Sequence, residues 1–223
     1  MALNKQFLSA LLNELAFHKA TLVAVSKTKP AVLIKEAYDC GQKIFGENYV
    51  QEIVEKHEQL PKDIQWHFIG HLQTNKVKLI APFVSLIHGV DSFKLLKEID
   101  KEAKKNNRII NCLLQIHIAQ EETKFGLSFE EAETLLKSSE IPELKNAVIT
   151  GFMGMATLSI NQDLIRKEFR SLKNFQEKMK ANYEIQNPKF EILSMGMTSD
   201  YKIALEEGSN MIRIGSAIFG ERN

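Results

Sequence analysis

Thr21-Leu22-Val23-Ala24-Val25-Ser26-Lys27-Thr28-Lys29-Pro30 is the stretch on which the fold turns. Residues 21–26 form a short apolar run rich in β-branched side chains, and Pro30 stands where a helix can open, so the stretch reads as a strand followed by a helix. Outward from it the same alternation recurs. Strand-like runs at 43–45, 65–68 and 84–88 are each followed by a helical segment, starting near Tyr49, Thr74 and Phe93. Four further runs, at 108–117, 147–151, 190–193 and 211–214, repeat the pattern. Ahead of the first strand, Leu8, Leu11, Leu12 and Leu15 recur at helical spacing and predict an extra N-terminal helix. Ser128 and Glu131 form a capping box before Ala132, Leu135 and Leu136. Ile165, Phe169, Leu172, Gln176 and Met179 make a nearly continuous stripe that predicts a helix over 163–180.

Strands alternating with helices imply a parallel sheet in an α/β protein, and eight such units in 223 residues fit a closed (β/α)₈ barrel of the TIM type. An open doubly wound sheet is the competitor, but its GxGxxG fingerprint after the first strand is absent. No linker, repeat or low-complexity segment divides the chain, so 1–223 is expected to be a single domain.

Lysine and arginine total 29 against 28 aspartates and glutamates, a formal charge of +1. Such a balance offers no field for nucleic acid or an anionic membrane, and a small-molecule ligand is expected instead. The longest charge-free stretches, 79–90 and 109–120, fall short of the roughly 18 to 20 apolar residues that cross a bilayer. Asn4, Lys5 and Glu14 interrupt the leucines of the first helix, unlike a signal peptide, so a cytoplasmic protein is expected. Cys40 and Cys112 lack CxxC spacing and read as two buried reduced thiols.

In a barrel of this type the active site is built from the C-terminal ends of the strands. Here those ends carry Lys27; Gly46, Glu47 and Asn48; His67 and Gly70; Asp91 and Ser92; His117; Met153; and residues 194–198 and 213–216. Lys27 alternates onto one face with Val23 and Val25, at the inner end of an apolar column. Desolvation there, with Lys29 or Arg213 as like charges, favours a neutral amine able to form a Schiff base. The plainer alternative is a strand-end lysine reaching into solvent.

The loops after strands seven and eight, where barrels commonly hold phosphate, read Ser194-Met195-Gly196-Met197-Thr198-Ser199-Asp200 and Arg213-Ile214-Gly215-Ser216. Gly196 and Gly215 let backbone N–H groups approach an anion, while Ser194, Thr198 and Ser216 add hydroxyl donors. Either loop alone also fits an ordinary helix cap. Arg213 in a strand is costly without a partner, for which a ligand ring nitrogen or an ion pair with Glu47 or Asp91 are the candidates. His67, His71, His88 and His117 have no HxH or HExxH spacing, so no metal site is expected; His67 is a candidate wall of the pocket.

Six motifs then combine: Val25-Ser-Lys27-Thr-Lys-Pro30, Phe45-Gly-Glu-Asn-Tyr-Val-Gln51, Trp66-His-Phe-Ile-Gly70 with Leu72-Gln-Thr-Asn-Lys76, Glu121-Glu-Thr-Lys-Phe-Gly126, Leu193-Ser-Met-Gly-Met-Thr-Ser-Asp200, and Met211-Ile-Arg-Ile-Gly-Ser-Ala-Ile-Phe-Gly220. With them the chain closely resembles the pyridoxal phosphate homeostasis protein family, which is similar to the barrel domain of bacterial alanine racemases. The resemblance runs from about Thr21 to Arg222. It implies pyridoxal 5′-phosphate (PLP) held as a Schiff base on Lys27. Its phosphate would lie on Ser194, Met195, Gly196, Thr198, Gly215 and Ser216, its ring nitrogen would face Arg213, and Asn48 and His67 would lie near the ring. Three residues depart from the family's usual serine, threonine and asparagine: Thr198, Ser216 and His117. The first two keep a hydroxyl donor.

The resemblance implies a carrier or regulator in vitamin B6 homeostasis, passing PLP to dependent apoenzymes without efficient turnover. Alanine racemases add a second domain with a catalytic tyrosine, whereas this sequence stops at Asn223, and an arginine at the ring nitrogen makes a weak electron sink. The alternatives are a narrow-scope PLP enzyme, such as an amino-acid racemase with Lys27 as sole base, and a PLP-free aldolase acting on a sugar phosphate.

Overall fold

The computed structural model describes residues 2–121, 125–183 and 190–221. Residues 122–124 of the motif spanning 121–126 therefore lie outside the described residues. Eight parallel strands follow one another around a closed barrel: β1 (Thr21–Val25), β2 (Ile44–Glu47), β3 (Gln65–Phe68), β4 (Leu86–Val90), β5 (Ile110–Ile116), β6 (Ala147–Gly154), β7 (Ile192–Ser194) and β8 (Met211–Ile214). β1 pairs with β8 in the register Val23 to Arg213, and this closure rules out the open sheet.

The helices lie outside: α1 (Lys5–His18), α2 (Ala31–Asp39), α3 (Val50–Gln59), α4 (Val77–Ile80), α5 (Phe93–Lys105), α6 (Phe129–Leu136), α7 (Gln162–Tyr183), α8 (Tyr201–Glu206) and α9 (Ser216–Phe219). The extra helix α1 buries Leu8, Leu11 and Leu15, and the Asn4 side chain caps it by accepting from the Phe7 N–H at 3.0 Å. The box that opens α6 forms in both directions, Glu131 N–H to Ser128 Oγ at 3.1 Å and Ser128 N–H to Glu131 Oε2 at 2.8 Å.

Alternation along the strands makes two apolar regions. Leu22, Ala24, Phe45, Trp66, Phe68, Ile87 and Leu114 face the helices and belong to the main core. Val23, Leu86, Leu113, Met153 and Met211 meet inside the barrel as a separate cluster. Burying each of these side chains contributes about 1.5–3 kcal/mol. They form an apolar floor, and the polar strand ends stand above it.

Three strands run two or three residues past the C-terminal ends expected from the sequence. β2 runs on to Glu47, β4 is shifted by two residues to end at Val90, and β6 continues to Gly154. Glu47, Val90 and Gly154 fall beyond the strands expected from the linear sequence. The strand accommodates Glu47 because its carboxylate is paired against α3, with Lys56 Nζ at 2.7 Å. The cysteines are both free, but only Cys112 is buried; Cys40 is exposed, in the turn that leaves α2. Among the described residues no helix is long and apolar enough to cross a membrane.

Candidate functional site

A cavity of about 420 Å³ opens at the C-terminal mouth of the barrel. Of the residues expected at the site, Lys27, Asn48, Thr198, Arg213, Gly215 and Ser216 line it. The column inferred for β1 is present: Val23 lies in the floor, and Val25 and Lys27 follow it into the cavity wall. Ile69, Met155 and Met197 supply the apolar sides.

The loop after β7 is built differently from the expectation. Ser194 is fully buried; its Oγ accepts from Arg213 Nη1 at 2.7 Å and lies 3.2 Å from His88 Nδ1. Its hydroxyl is thus engaged inside the barrel in place of the anion contact foreseen for it. Met195 is buried in the outer core. Gly196 has φ +98, and a Cβ on it would stand 2.6 Å from Ala204 Cβ, so the position demands glycine on two counts. These three residues aim the loop, and the groups that reach the cavity are the next ones along, Met197, Thr198 and Ser199. Asp200 holds that loop by accepting from the Met197 N–H at 2.6 Å. Ser216 Oγ stands 3.3 Å from Thr198 Oγ1, so hydroxyls from the last two loops converge. The amides of Ser216 and Ala217 belong to the first turn of α9, where no intrahelical carbonyl reaches them.

Arg213 lies in β8 opposite Val23, and its guanidinium points inward. Nη1 donates to the Ser194 carbonyl at 2.8 Å as well as to its hydroxyl, and Nη2 donates to the Gly154 carbonyl at 3.0 Å. Neither carboxylate foreseen as an ion-pair partner serves: Glu47 is bound by Lys56, and Asp91 Oδ2 lies 3.2 Å from His71 Nδ1. Burial brings the guanidinium down to about 10, with Asp200 opposing, so it stays charged at neutral pH. Donors remain, because a guanidinium carries five N–H groups.

Behind Arg213 the polar chain continues from Ser194 to His88 and then to His67, whose Nδ1 is 3.0 Å from His88 Nε2. His67 is therefore buried against His88. Burial pushes His67 down to about 3; His88 falls well below its ordinary value through burial and the neighbouring His67 and Arg213. His117 sits at the rim, with Nε2 2.8 Å from the Glu121 carbonyl. The sequence reading missed Met155, because β6 runs past Met153 and brings the later residue to the lip. It named Lys29 as a like charge near Lys27 but not as a wall residue; the turn after β1 brings Lys29 to the cavity wall. Its Nζ donates to the carbonyls of Gly220 at 3.0 Å and Glu221 at 2.7 Å, which secures the end of the last helix over the cavity.

The donor set fits one kind of ligand. Converging hydroxyls and first-turn amides suit an oxyanion, a guanidinium with spare donors suits a ring nitrogen, and Lys27 suits a carbonyl carbon. Asn48 Oδ1, buried and without a hydrogen-bond partner among the described residues, belongs to the same lining.

A closed parallel barrel with a lysine just after its first strand and converging hydroxyls after its last two is the architecture of the alanine racemase barrel class. The family model described as alanine racemase, N-terminal domain, matches residues 8–223. Within that class, proteins named pyridoxal phosphate homeostasis protein match at 41% identity in Aquifex aeolicus, covering 91% of this chain and 87% of that protein, and at 35% in Escherichia coli K12, covering 91% and 86%. The chain belongs to the pyridoxal phosphate homeostasis protein family. The solved structure of PipY from Synechococcus elongatus PCC7942 with PLP bound superposes with a TM-score of 0.82 at 32% identity, covering 96% of this chain and all of that one (100%). Alanine racemase from Bartonella henselae shares the fold at a TM-score of 0.71 and 16% identity, over 99% of this chain and 60% of the enzyme.

Proposed function

We propose that this chain is a PLP-binding protein that holds the cofactor reversibly on Lys27 and serves vitamin B6 homeostasis in the cytoplasm as a single barrel domain. The observation that carries this reading is the convergence of Lys27, Arg213, Thr198 and Ser216 on one cavity. Thr198, Ser199 and Ser216, with the amides at the start of α9, would hold the phosphate, and Arg213 would donate to the ring nitrogen. When bound, PLP supplies an aldehyde that condenses reversibly with a primary amine, releasing water.

The residues favour holding over turnover. An arginine at the ring nitrogen leaves that nitrogen unprotonated, which weakens the ring as an electron sink. Among the described residues, no tyrosine, histidine or carboxylate lines the cavity to act as a second base beside the lysines. Reversible linkage without a committed reaction suits delivery to PLP-dependent apoenzymes.

The test is covalent mapping. Protein incubated with PLP should develop a visible absorbance band, and borohydride should fix the cofactor on Lys27. Lys27→Ala should lose both while unfolding at nearly the same temperature, since the residue sits at the mouth and not in the floor. Attachment at another lysine would overturn the assignment. Amino-acid turnover above the rate given by free PLP would replace the carrier with an enzyme.

A further inference from the structure

Lys27 sits in a four-residue turn, residues 26–29, closed by the Lys29 N–H to the Ser26 carbonyl at 3.0 Å. The third residue, Thr28, has φ +64, a conformation costly for a β-branched side chain. Something outside the turn has to hold it there.

The holding groups come from β2 and α3. Glu52 Oε1 accepts from the Thr28 N–H at 2.6 Å. Lys56 Nζ makes three bonds, the number its ammonium can donate: to Glu52 Oε1 at 2.6 Å, to Glu47 Oε1 at 2.7 Å and to the Ser26 carbonyl at 2.8 Å. Glu47 Oε1 also accepts from Ser26 Oγ at 2.6 Å. The residues on both sides of Lys27 are thus tied to one buried ammonium and its two carboxylates. Lys56 is 6% exposed and Glu47 0%. Burying such a group is expensive, and apolar residues of similar size often stabilise a fold as well or better. The network's particular product is the path of the backbone through Ser26 and Thr28.

We propose that Lys56 and Glu52 are positioning residues that hold the 26–29 turn so that the Lys27 amine is presented to the carbonyl end of the ligand. This rests on the reading that PLP is linked to Lys27. Neither side chain lines the cavity. They act on the linkage through the backbone and leave the phosphate and ring contacts alone.

Two ligands separate these effects in the full chain. Pyridoxine 5′-phosphate keeps the ring and the phosphate but has an alcohol in place of the aldehyde, so it binds without linking. Calorimetric titration of Glu52→Ala should show about a tenfold loss of PLP affinity, the size expected for one charge-assisted hydrogen bond, with pyridoxine 5′-phosphate within twofold of wild type. Glu52→Gln retains an acceptor for the Thr28 N–H and should recover most of the loss. Lys56→Met should match or exceed Glu52→Ala; if it fails to fold, the Glu52 pair alone decides the matter. Equal losses for both ligands would mean a general disturbance of the pocket and would overturn the proposal, as would unchanged PLP affinity in Glu52→Ala. If wild-type protein binds PLP without borohydride trapping at Lys27, the underlying reading of the site fails instead, which is a distinct result.

Discussion

Acid should destabilise this protein before its ordinary carboxylates titrate, and one buried carboxylate should blunt the effect. His67 and His88 are buried and neutral, with folded-state values of about 3 and well below the usual 6.5 respectively. A depressed histidine contributes stability above pH 6.5 and loses it as pH falls, because only the unfolded chain takes up the proton. From pH 7 to 5 this amounts to about 2 kcal/mol for His67, and His88 adds a loss in the same direction. The figure for His67 is insensitive to its exact folded-state value, since that ring stays neutral at pH 5. Glu47 works in the opposite direction. Burial raises it from 4.5 to about 7 against the pull of Lys56, so over the same interval the folded state gains the proton, a stabilisation of about 2 kcal/mol.

The net expectation is that both proteins lose stability between pH 7 and 5, and that Glu47→Gln, which cannot take up the proton, loses about 2 kcal/mol more than the wild type. His57 is depressed too and adds to the loss in both proteins. Urea unfolding followed by the fluorescence of Trp66, the single and fully buried tryptophan, measures both stabilities at both pH values. Equal losses in the two proteins would show that Glu47 is already ionised throughout the interval. A wild type that gains stability on acidification would show that the two rings are not buried as neutral groups.

Two other predictions test the cavity. Pyridoxal, which lacks the phosphate, should bind well over ~100-fold more weakly than PLP, because at least two charge-assisted hydrogen bonds at roughly 1.5–3 kcal/mol each are lost; inorganic phosphate should compete with PLP, and equal affinity for the two vitamers would remove the phosphate site. Gly70→Ala should lower stability by about 1–3 kcal/mol and weaken PLP binding, because its Cβ would lie 2.5 Å from the Asn48 carbonyl oxygen and 2.9 Å from Asn48 Cα, backbone atoms of a cavity residue; an unchanged unfolding temperature would refute that packing argument.

The barrel was legible because its two governing signals are local. Short β-branched runs alternate with 3.6-period stripes, and each is read within its own window, as 21–26 and 163–180 show. Lys27, Thr198 and Ser216 were legible for a related reason: strand alternation and loop position place them without knowledge of neighbours. What stayed hidden was pairing across the barrel. Ser194 looks like another loop hydroxyl until Arg213 and His88, 19 and 106 residues away in sequence, are found on it. Glu47 looks like a mouth residue until β2 is seen to continue, turning its side chain out toward Lys56. In both cases the linear sequence contains the residue type but not the partner that decides which way it faces.

The charge of the site also differs in kind from the charge of the chain. The protein as a whole is nearly balanced at +1, so it has no long-range pull on polyanions. Around the cavity, Lys27, Lys29 and Arg213 line one wall system, and among the described residues Arg213 donates to two neutral carbonyls and a hydroxyl. Asp200 is the carboxylate felt at Arg213, and its Oδ1 accepts from the Met197 amide. A balanced surface around a cationic, partly desolvated pocket favours a small, compact anion over an extended one: low dielectric strengthens the attraction inside, while salt screens what little acts outside. Under the proposed function, discrimination between the phosphorylated cofactor and its neutral vitamers would fall to the hydroxyls and amides at Thr198, Ser199 and Ser216 within this cationic pocket, and the apolar walls of Val25, Ile69, Met155 and Met197 would exclude water from a linkage at Lys27.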